Sequence, residues 1–364
     1  MTSAATDRNS ALEPLIKEEA RRLGFILAGV TVPDPPEHVS VFEAWLAEGL
    51  HGTMSYMSNE RSRIRRADPR SLMPECKSII VLATPYSYPG SLPTATGDGA
   101  GEPRGMVAAY AWGDDYHDVL PQRMRALVRS IEEQVGRPIA SRCFTDSAPI
   151  LERDLGQRAG LGWIGKNTCL ISPHLGSYLL LSEILLDLEL EPDAPVTTDH
   201  CGSCTRCIEA CPTDCILPDR TLDAQTCISY LTIELRGSIP ADLRQKISNW
   251  IFGCDICQMV CPWNRFSPPQ GDQAFSDQSR VAGPLLKDEL ALSPDEFKLR
   301  FQRSPIRRAK APGYLRNLAV AAGNSGARQL LPVLRTVAEQ GDPVAEEHSK
   351  WAIQQISGGK PPHD

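Results

Sequence analysis

Nine of the twelve cysteines of this chain fall in one 61-residue stretch, Cys201 to Cys261. No other feature restricts its fold as tightly. The stretch opens as CGSCTRCIEACP and closes as CDICQMVCP, with Cys227 alone between the two runs. In a C-x2-C-x2-C-x3-C-P run, a tight loop can present three thiolates to one centre. The cysteine before proline starts a turn or helix aimed at a neighbouring centre.

This is the spacing of bacterial two-cluster ferredoxins. The second run, Cys254, Cys257 and Cys261, lacks one near ligand, and Cys227 can supply it. Eight ligands then divide between two 4Fe-4S clusters. One takes Cys201, Cys204, Cys207 and Cys261; the other takes Cys211, Cys227, Cys254 and Cys257. Zinc fits less well, because structural zinc sites favour separated cysteine pairs and four ligands in all. Cys215 is read as a spectator, and Cys76, Cys143 and Cys169 are scattered.

Thiolate-bound clusters call for a reducing compartment. The first residues, MTSAATDRNS, are polar with no apolar run behind them. No segment approaches the ~18 apolar residues of a membrane span. A soluble, cytoplasmic, monomeric protein is expected. A net charge of -7 excludes binding of nucleic acid by bulk charge. Two local basic patches remain, residues 61–70 with five arginines and residues 298–316. The plain reading of each is a solvated face.

Along the chain, residues 1–10 are expected as a flexible tail. Ser10 and Glu13 form a capping box for an amphipathic helix ending at Gly24. Strands follow at 25–31, 77–84 and 106–112, with helices over 38–50 and 115–136 and a turn-rich loop at 89–104. A strand, a helix and two more strands (167–172 and 178–186) complete a domain of alternating elements over 11–194, α/β or α+β with one main sheet. A ferredoxin-like module is expected over 195–265 and a linker with one helix over 266–303. In the latter, Ser293, Pro294 and Glu296 mark a helix start. Residues 304–364 read as HEAT-like helices, too few to stand alone. The fold class is α+β.

Gly160-x-Gly162-x-x-Gly165 has dinucleotide-fingerprint spacing but follows a helical run and leads into a strand, the reverse of what that motif needs. A loop that lets a flat cofactor approach its backbone suits it better. Asp115-Tyr-His117 begins like a D-x-H-x-x-G loop, but Leu120 breaks the match, so His117 is read as a helix residue. Asp146, in FTDSAPILER, could be a helix N-cap or, if buried, a proton donor.

The set WGDDYHDVL, DSAPILER, GLGWIGKN, CGSCTRCIEACPTD, CISYLT, FGCDICQMVCPWN and SPIRRAKAPGYLRN resembles the epoxyqueuosine reductases from about residue 10 to 356. That resemblance implies a cobalamin in the N-terminal domain, fed by two 4Fe-4S clusters in an arrangement similar to reductive dehalogenases. The substrate would be tRNA carrying epoxyqueuosine in its anticodon loop, with the C-terminal helices helping to hold it. An external low-potential electron donor would supply the reducing equivalents. Asp146 matches the family's proposed proton donor. Arg66, Lys166, Asn167, Ser229 and Asp255 fall in segments that surround cobalamin. The expected role of Asp146 is a carboxylic acid kept protonated until the epoxide oxygen departs. Residues 300–316 are the expected phosphate-tracking patch. The cysteines by themselves would also suit a ferredoxin-type electron carrier or another corrinoid reductase of the dehalogenase kind.

Overall fold

A computed structural model describes residues 3–88, 90, 102–276 and 281–358. Most of the turn-rich loop expected at 89–104 lies outside these residues. Eight strands are present among them: β1 (Leu27–Thr31), β2 (Ser78–Pro85), β3 (Met106–Val107), β4 (Ser141–Phe144), β5 (Trp163–Ile164), β6 (Leu170–Ile171), β7 (Leu179–Leu186) and β8 (Trp250–Phe252). The main sheet has the order β1-β2-β7-β4, and every neighbouring pair in it is antiparallel. This decides between the two architectures left open for the N-terminal region: it is α+β, not a parallel α/β sheet.

Both faces of the sheet are covered, so its central strands are apolar at nearly every position. On one face Ile80, Leu82, Ile184 and Leu186 meet Leu120, Met124, Leu127 and Ile131 of the helix Tyr116–Val135. On the other, Ile79, Val81, Ala83 and Leu185 meet Leu155 of the helix Glu152–Arg158, together with Leu161 and Leu170 around the β5–β6 hairpin. The 116–135 helix starts as expected. The Asp115 carboxylate accepts the His117 N–H at 3.0 Å, and Gly136 ends the helix with φ +73°. The first helix differs. It runs Ser3–Arg22, so residues 3–10 continue it instead of forming a tail and Ser10 is not its cap.

The strand expected over 106–112 stops after Val107. The Ala109 N–H goes to the Asp255 carboxylate at 2.7 Å, and a 3-10 turn follows over Ala109–Ala111. Each cysteine run leads into one turn of helix, Arg206–Glu209 and Ile256–Met259, and Cys227 precedes the helix Ile228–Ile233. Beyond them, Ser293 and Glu296 form the expected reciprocal capping box, with Pro294 in the first turn of Pro294–Arg300. Helices Lys310–Ser325, Leu331–Ala338 and Pro343–Ser357 pack on one another.

One buried apolar cluster runs from Leu12 through the sheet to Phe275, Phe297, Leu318 and Ile356. The C-terminal helices therefore share their core with the N-terminal region. A polar tie adds to this. Arg316 is fully buried and donates to the carbonyls of Leu231, Leu235 and Gly237 at 2.5, 2.8 and 2.7 Å. Next to it, the Asn317 amide donates to the Thr232 and Ile251 carbonyls.

Candidate functional site

The eight ligand-type cysteines fall into two neighbourhoods. Cys207 lies among Cys201 and Cys204, and Cys261 lies beside Cys201 and Cys207. Cys254 has Cys227 and Cys211 as neighbours, and Cys257 has Cys254 and Cys227. Cys169, expected as a scattered cysteine, lies near members of both groups, Cys207 and Cys261 in one and Cys227 and Cys257 in the other. Among the described residues, no three His, Cys, Asp or Glu close on a point as the ligands of a single ion would. Cys215 is buried against the second group, its sulfur 3.4 Å from that of Cys211.

Asp146 is not a helix cap. It sits on the turn between β4 and the next helix with φ +48°, a left-handed conformation that Asp tolerates better than most side chains, while that helix is preceded by Leu151. The turn leaves the carboxylate open to solvent, with 56 % of the side chain exposed. Tyr116 donates its hydroxyl to Asp146 Oδ2 at 2.6 Å. Arg308 Nη1 stands 3.4 Å from the same oxygen and His117 Nε2 3.7 Å from it. His117 is held from behind, with Nδ1 2.7 Å from Asp115 Oδ1, and Arg308 Nη2 meets its Nε2. The Asp146 N–H in turn goes to Glu152 Oε1 at 2.6 Å.

These contacts set the protonation of Asp146. The surrounding protein alone would raise its pKa, but hydrogen bonds from His117 and Tyr116 and the charge of Arg308 outweigh that and hold it below the ordinary carboxylate range. The expectation of an acid kept protonated is therefore reversed for the free protein, where Asp146 is a carboxylate. Tyr110 packs edge-on to Tyr116 and against Phe252, the residue before Gly253 and Cys254, which links this group to the cysteine module.

Sequence reasoning missed Tyr116, His117, Arg308 and Glu152 as members of this group. The available signal was the DYH run at a capped helix start, which sets two polar side chains beside the Asp115 cap.

The other expected contacts are distributed around the same region. Arg66 is buried above the Phe42 ring; its Nη2 reaches Met57 Sδ while Nη1 has no partner. Asn167 is buried with its Oδ1 on the Cys169 N–H and Nδ2 unpartnered. Asp255 is buried at Ala109, and burial pushes its carboxyl up to about 7. Ser229 is half-buried in the helix that follows Cys227. Lys166 is directed elsewhere than expected. Its ammonium holds the carbonyls of Gly202 and Cys204 at 2.7 and 3.0 Å, fixing the first cysteine loop.

The glycine-rich loop serves internal packing. A Cβ on Gly162 would stand 2.2 Å from the Ile171 carbonyl oxygen, and one on Gly160 2.8 Å from that of Ala194. The expected phosphate-tracking patch is largely neutralised within the protein. Arg300 pairs with Glu289, Arg303 with Asp114, Arg307 with Asp115 and Arg308 with Asp146, while Arg316 is buried. Lys298 and Lys310 are exposed.

Comparison with known proteins bears on these groups. A 4Fe-4S double cluster binding domain matches residues 200–264, and an epoxyqueuosine reductase QueG family model matches residues 66–147. The epoxyqueuosine reductase of Pseudomonas aeruginosa is 41 % identical over 342 residues, covering 93 % of each chain. That of Escherichia coli is 38 % identical, covering 93 % of this chain and 88 % of its own. Among solved structures, an epoxyqueuosine reductase with an epoxyqueuosine-modified tRNA-Tyr stem loop superposes with a TM-score of 0.86 at 32 % identity, covering 95 % of this chain and 90 % of the other. A Bacillus subtilis epoxyqueuosine reductase whose catalytic loop is swung out of the active site gives 0.83 at 31 % identity, covering 95 % and 91 %.

Proposed function

The chain belongs to the epoxyqueuosine reductase family, and we propose that it reduces the epoxide of epoxyqueuosine at the wobble position of tRNA, leaving the alkene of queuosine. One observation carries this reading: Tyr116, His117 and Arg308 come from two other chain segments to the exposed Asp146 carboxylate, next to a module with two groups of thiols.

The donor sets fit the groups this chemistry needs. Cys201, Cys204, Cys207 and Cys261 would hold one 4Fe-4S cluster, and Cys211, Cys227, Cys254 and Cys257 the other. Buried donors without protein partners, Arg66 Nη1 and Asn167 Nδ2, suit the polar periphery of a cobalamin. Ser229 and Asp255 would complete its surroundings, with Lys166 acting through the cysteine loop. When bound, cobalamin supplies a low-potential metal centre able to reduce a carbon–oxygen bond, recharged through the clusters by an external low-potential donor.

The chain's own residues manage the proton. In the free protein Arg308 and Tyr116 keep Asp146 ionised. A seated anticodon loop would cover Asp146 and offer phosphates to Arg308. Desolvation and loss of that positive charge both raise the Asp146 pKa. Asp146 thus becomes an acid only when substrate is in place, and gives its proton to the departing oxygen. Asp115 Oδ1, 2.7 Å from His117 Nδ1, orients the ring so that Nε2 faces Asp146. Exposed Lys298 and Lys310, beside HEAT-like C-terminal helices, would contact the tRNA backbone, and a splayed wobble nucleotide would settle over Asp146. The protein is proposed to act as a cytoplasmic monomer.

Anaerobically prepared protein, supplied with cobalamin and a low-potential donor, should convert epoxyqueuosine in tRNA to a nucleoside one oxygen lighter. Asp146→Asn should abolish conversion while retaining iron, sulfide and cobalt. An unchanged nucleoside with the wild type, or normal turnover by Asp146→Asn, refutes the proposal.

A further inference from the structure

Glu183 has no evident reason to be where it is. It lies in the middle of β7, an interior strand of the sheet, opposite Val81 on β2 and Phe144 on β4. Its side chain is fully buried on the face that packs against the 152–158 helix, among apolar groups such as Leu185 and Leu155. Its only hydrogen-bonding contact is with the Glu152 carboxyl. A carboxylate in such a place is strongly disfavoured, so Glu183 carries a proton. The two charges that bear most on it are Glu152 and Asp146. Glu152 is the first residue of that helix, and one of its oxygens receives the Asp146 N–H at 2.6 Å. Glu152 therefore stands between the buried Glu183 carboxyl and the backbone of Asp146.

We propose that Glu183 and Glu152 form an internal proton store that reloads Asp146, so that Asp146 can act as the acid in an otherwise sealed site. This rests on the reductive reading of the site given above. Epoxide reduction breaks two C–O bonds, forms one C=C bond and releases the oxygen as water. It consumes two electrons, supplied by the low-potential donor, and two protons. A wobble nucleotide seated over Asp146 would cut that residue off from bulk water, while the route through Glu152 lies on the protein side and stays available.

The electrostatics agree with this arrangement. Burial and the negative charge of Asp146 push Glu152 up to about 8, against the opposing influence of Arg153 and His117. Burial followed by Glu152 and Asp146 places Glu183 well above the ordinary range. Near neutral pH the pair thus stores two protons beside an ionised Asp146. When tRNA draws Arg308 away, Asp146 rises and takes a proton from Glu152.

The test uses Glu152→Gln and Glu183→Gln in the full-length protein with its clusters in place. Each amide keeps the shape and the acceptor oxygen but has no acidic proton. Difference infrared spectra at pH 7 should show a protonated, deuterium-sensitive carboxyl band in the wild type. That band should be reduced in each variant. In single turnovers with bound tRNA, Glu152→Gln should be slower by about 10²-fold, the lower end of what a positioned acid contributes. Its tRNA affinity should be unchanged. The wild-type rate should also fall as pH rises past about 8, the point where Glu152 loses its proton, and the variant should lack that limb. A wild-type spectrum without the band overturns the store, as does a Glu152→Gln enzyme with wild-type rate and pH profile. If the wild type failed to reduce the epoxide at all, the family-based reading would fall, and the infrared band would still decide whether the pair holds the protons.

Discussion

Replacing Arg316 tests how the cysteine module is held to the rest of the protein. Its guanidinium is wholly buried and donates to three backbone carbonyls, those of Leu231, Leu235 and Gly237, and to Asn317 Oδ1. Those carbonyls belong to the helix that follows Cys227 and to the turn after it. Methionine fills the aliphatic part of the site, ends short of the guanidinium and has no donor. Arg316→Met leaves the three acceptors dry and unpaired, at about 1–3 kcal/mol each. Part of this is recovered, because a cation no longer has to be buried; burial already lowers the Arg316 pKa to about 10. A net loss of about 3–5 kcal/mol follows for one partner removed from a buried charged network. With an unfolding entropy near 2.1 cal/mol/K per residue, each kcal/mol shifts the Tm of a chain this long by about 1.3 °C. Thermal unfolding under anaerobic conditions should therefore drop by about 4–7 °C. The loss of iron should concentrate in the cluster that uses Cys227. Arg316→Lys keeps the charge without the planar fork and should fall between the two. An Arg316→Met protein melting within about 1 °C of the wild type with full iron content would refute the assignment of this residue as the tie.

Two further predictions concern single side chains. Asp115→Asn removes the carboxylate behind His117 Nδ1. Burial alone would lower the His117 pKa, but Asp115 and Asp146 raise it above the ordinary histidine value. The stability this contributes is present in full below about pH 6.5 and fades as pH rises through the folded value, so the deficit of Asp115→Asn should be greatest in acid and shrink toward alkaline pH. Urea unfolding across pH checks this, and a pH-independent deficit would contradict it. Cys215→Ser should keep the full iron and sulfide content, whereas Cys211→Ser should lose one cluster, although the two sulfurs are 3.4 Å apart. Equal iron content in both variants would overturn the ligand assignment.

What could be read in advance was what is decided locally. The single helical turn that follows each cysteine run is set by loops inside that run. The Asp115 cap and the Ser293–Glu296 box depend on hydrogen bonds within three residues. Strand direction was not legible, because alternating elements fit an antiparallel sheet as well as a parallel one. The same holds for the state of Asp146, whose partners Tyr116 and Arg308 lie 30 and 162 positions away. The basic run at 300–308 looked free for the same reason: Glu289, Asp114, Asp115 and Asp146, which pair with it, arrive through the fold. Glu183 gave only a polar letter in an apolar strand, with nothing to say which face would bury it.

The unbroken apolar interior from Leu12 to Ile356 has a consequence for biogenesis. A nascent chain that has already emitted all of its cysteines still lacks the last helices of that shared core. Maturation must therefore load iron into an unfinished body or wait for translation to end. Fragments cut at the motif boundaries should be sticky, and the double-cluster segment should not be recoverable as a well-behaved protein by itself.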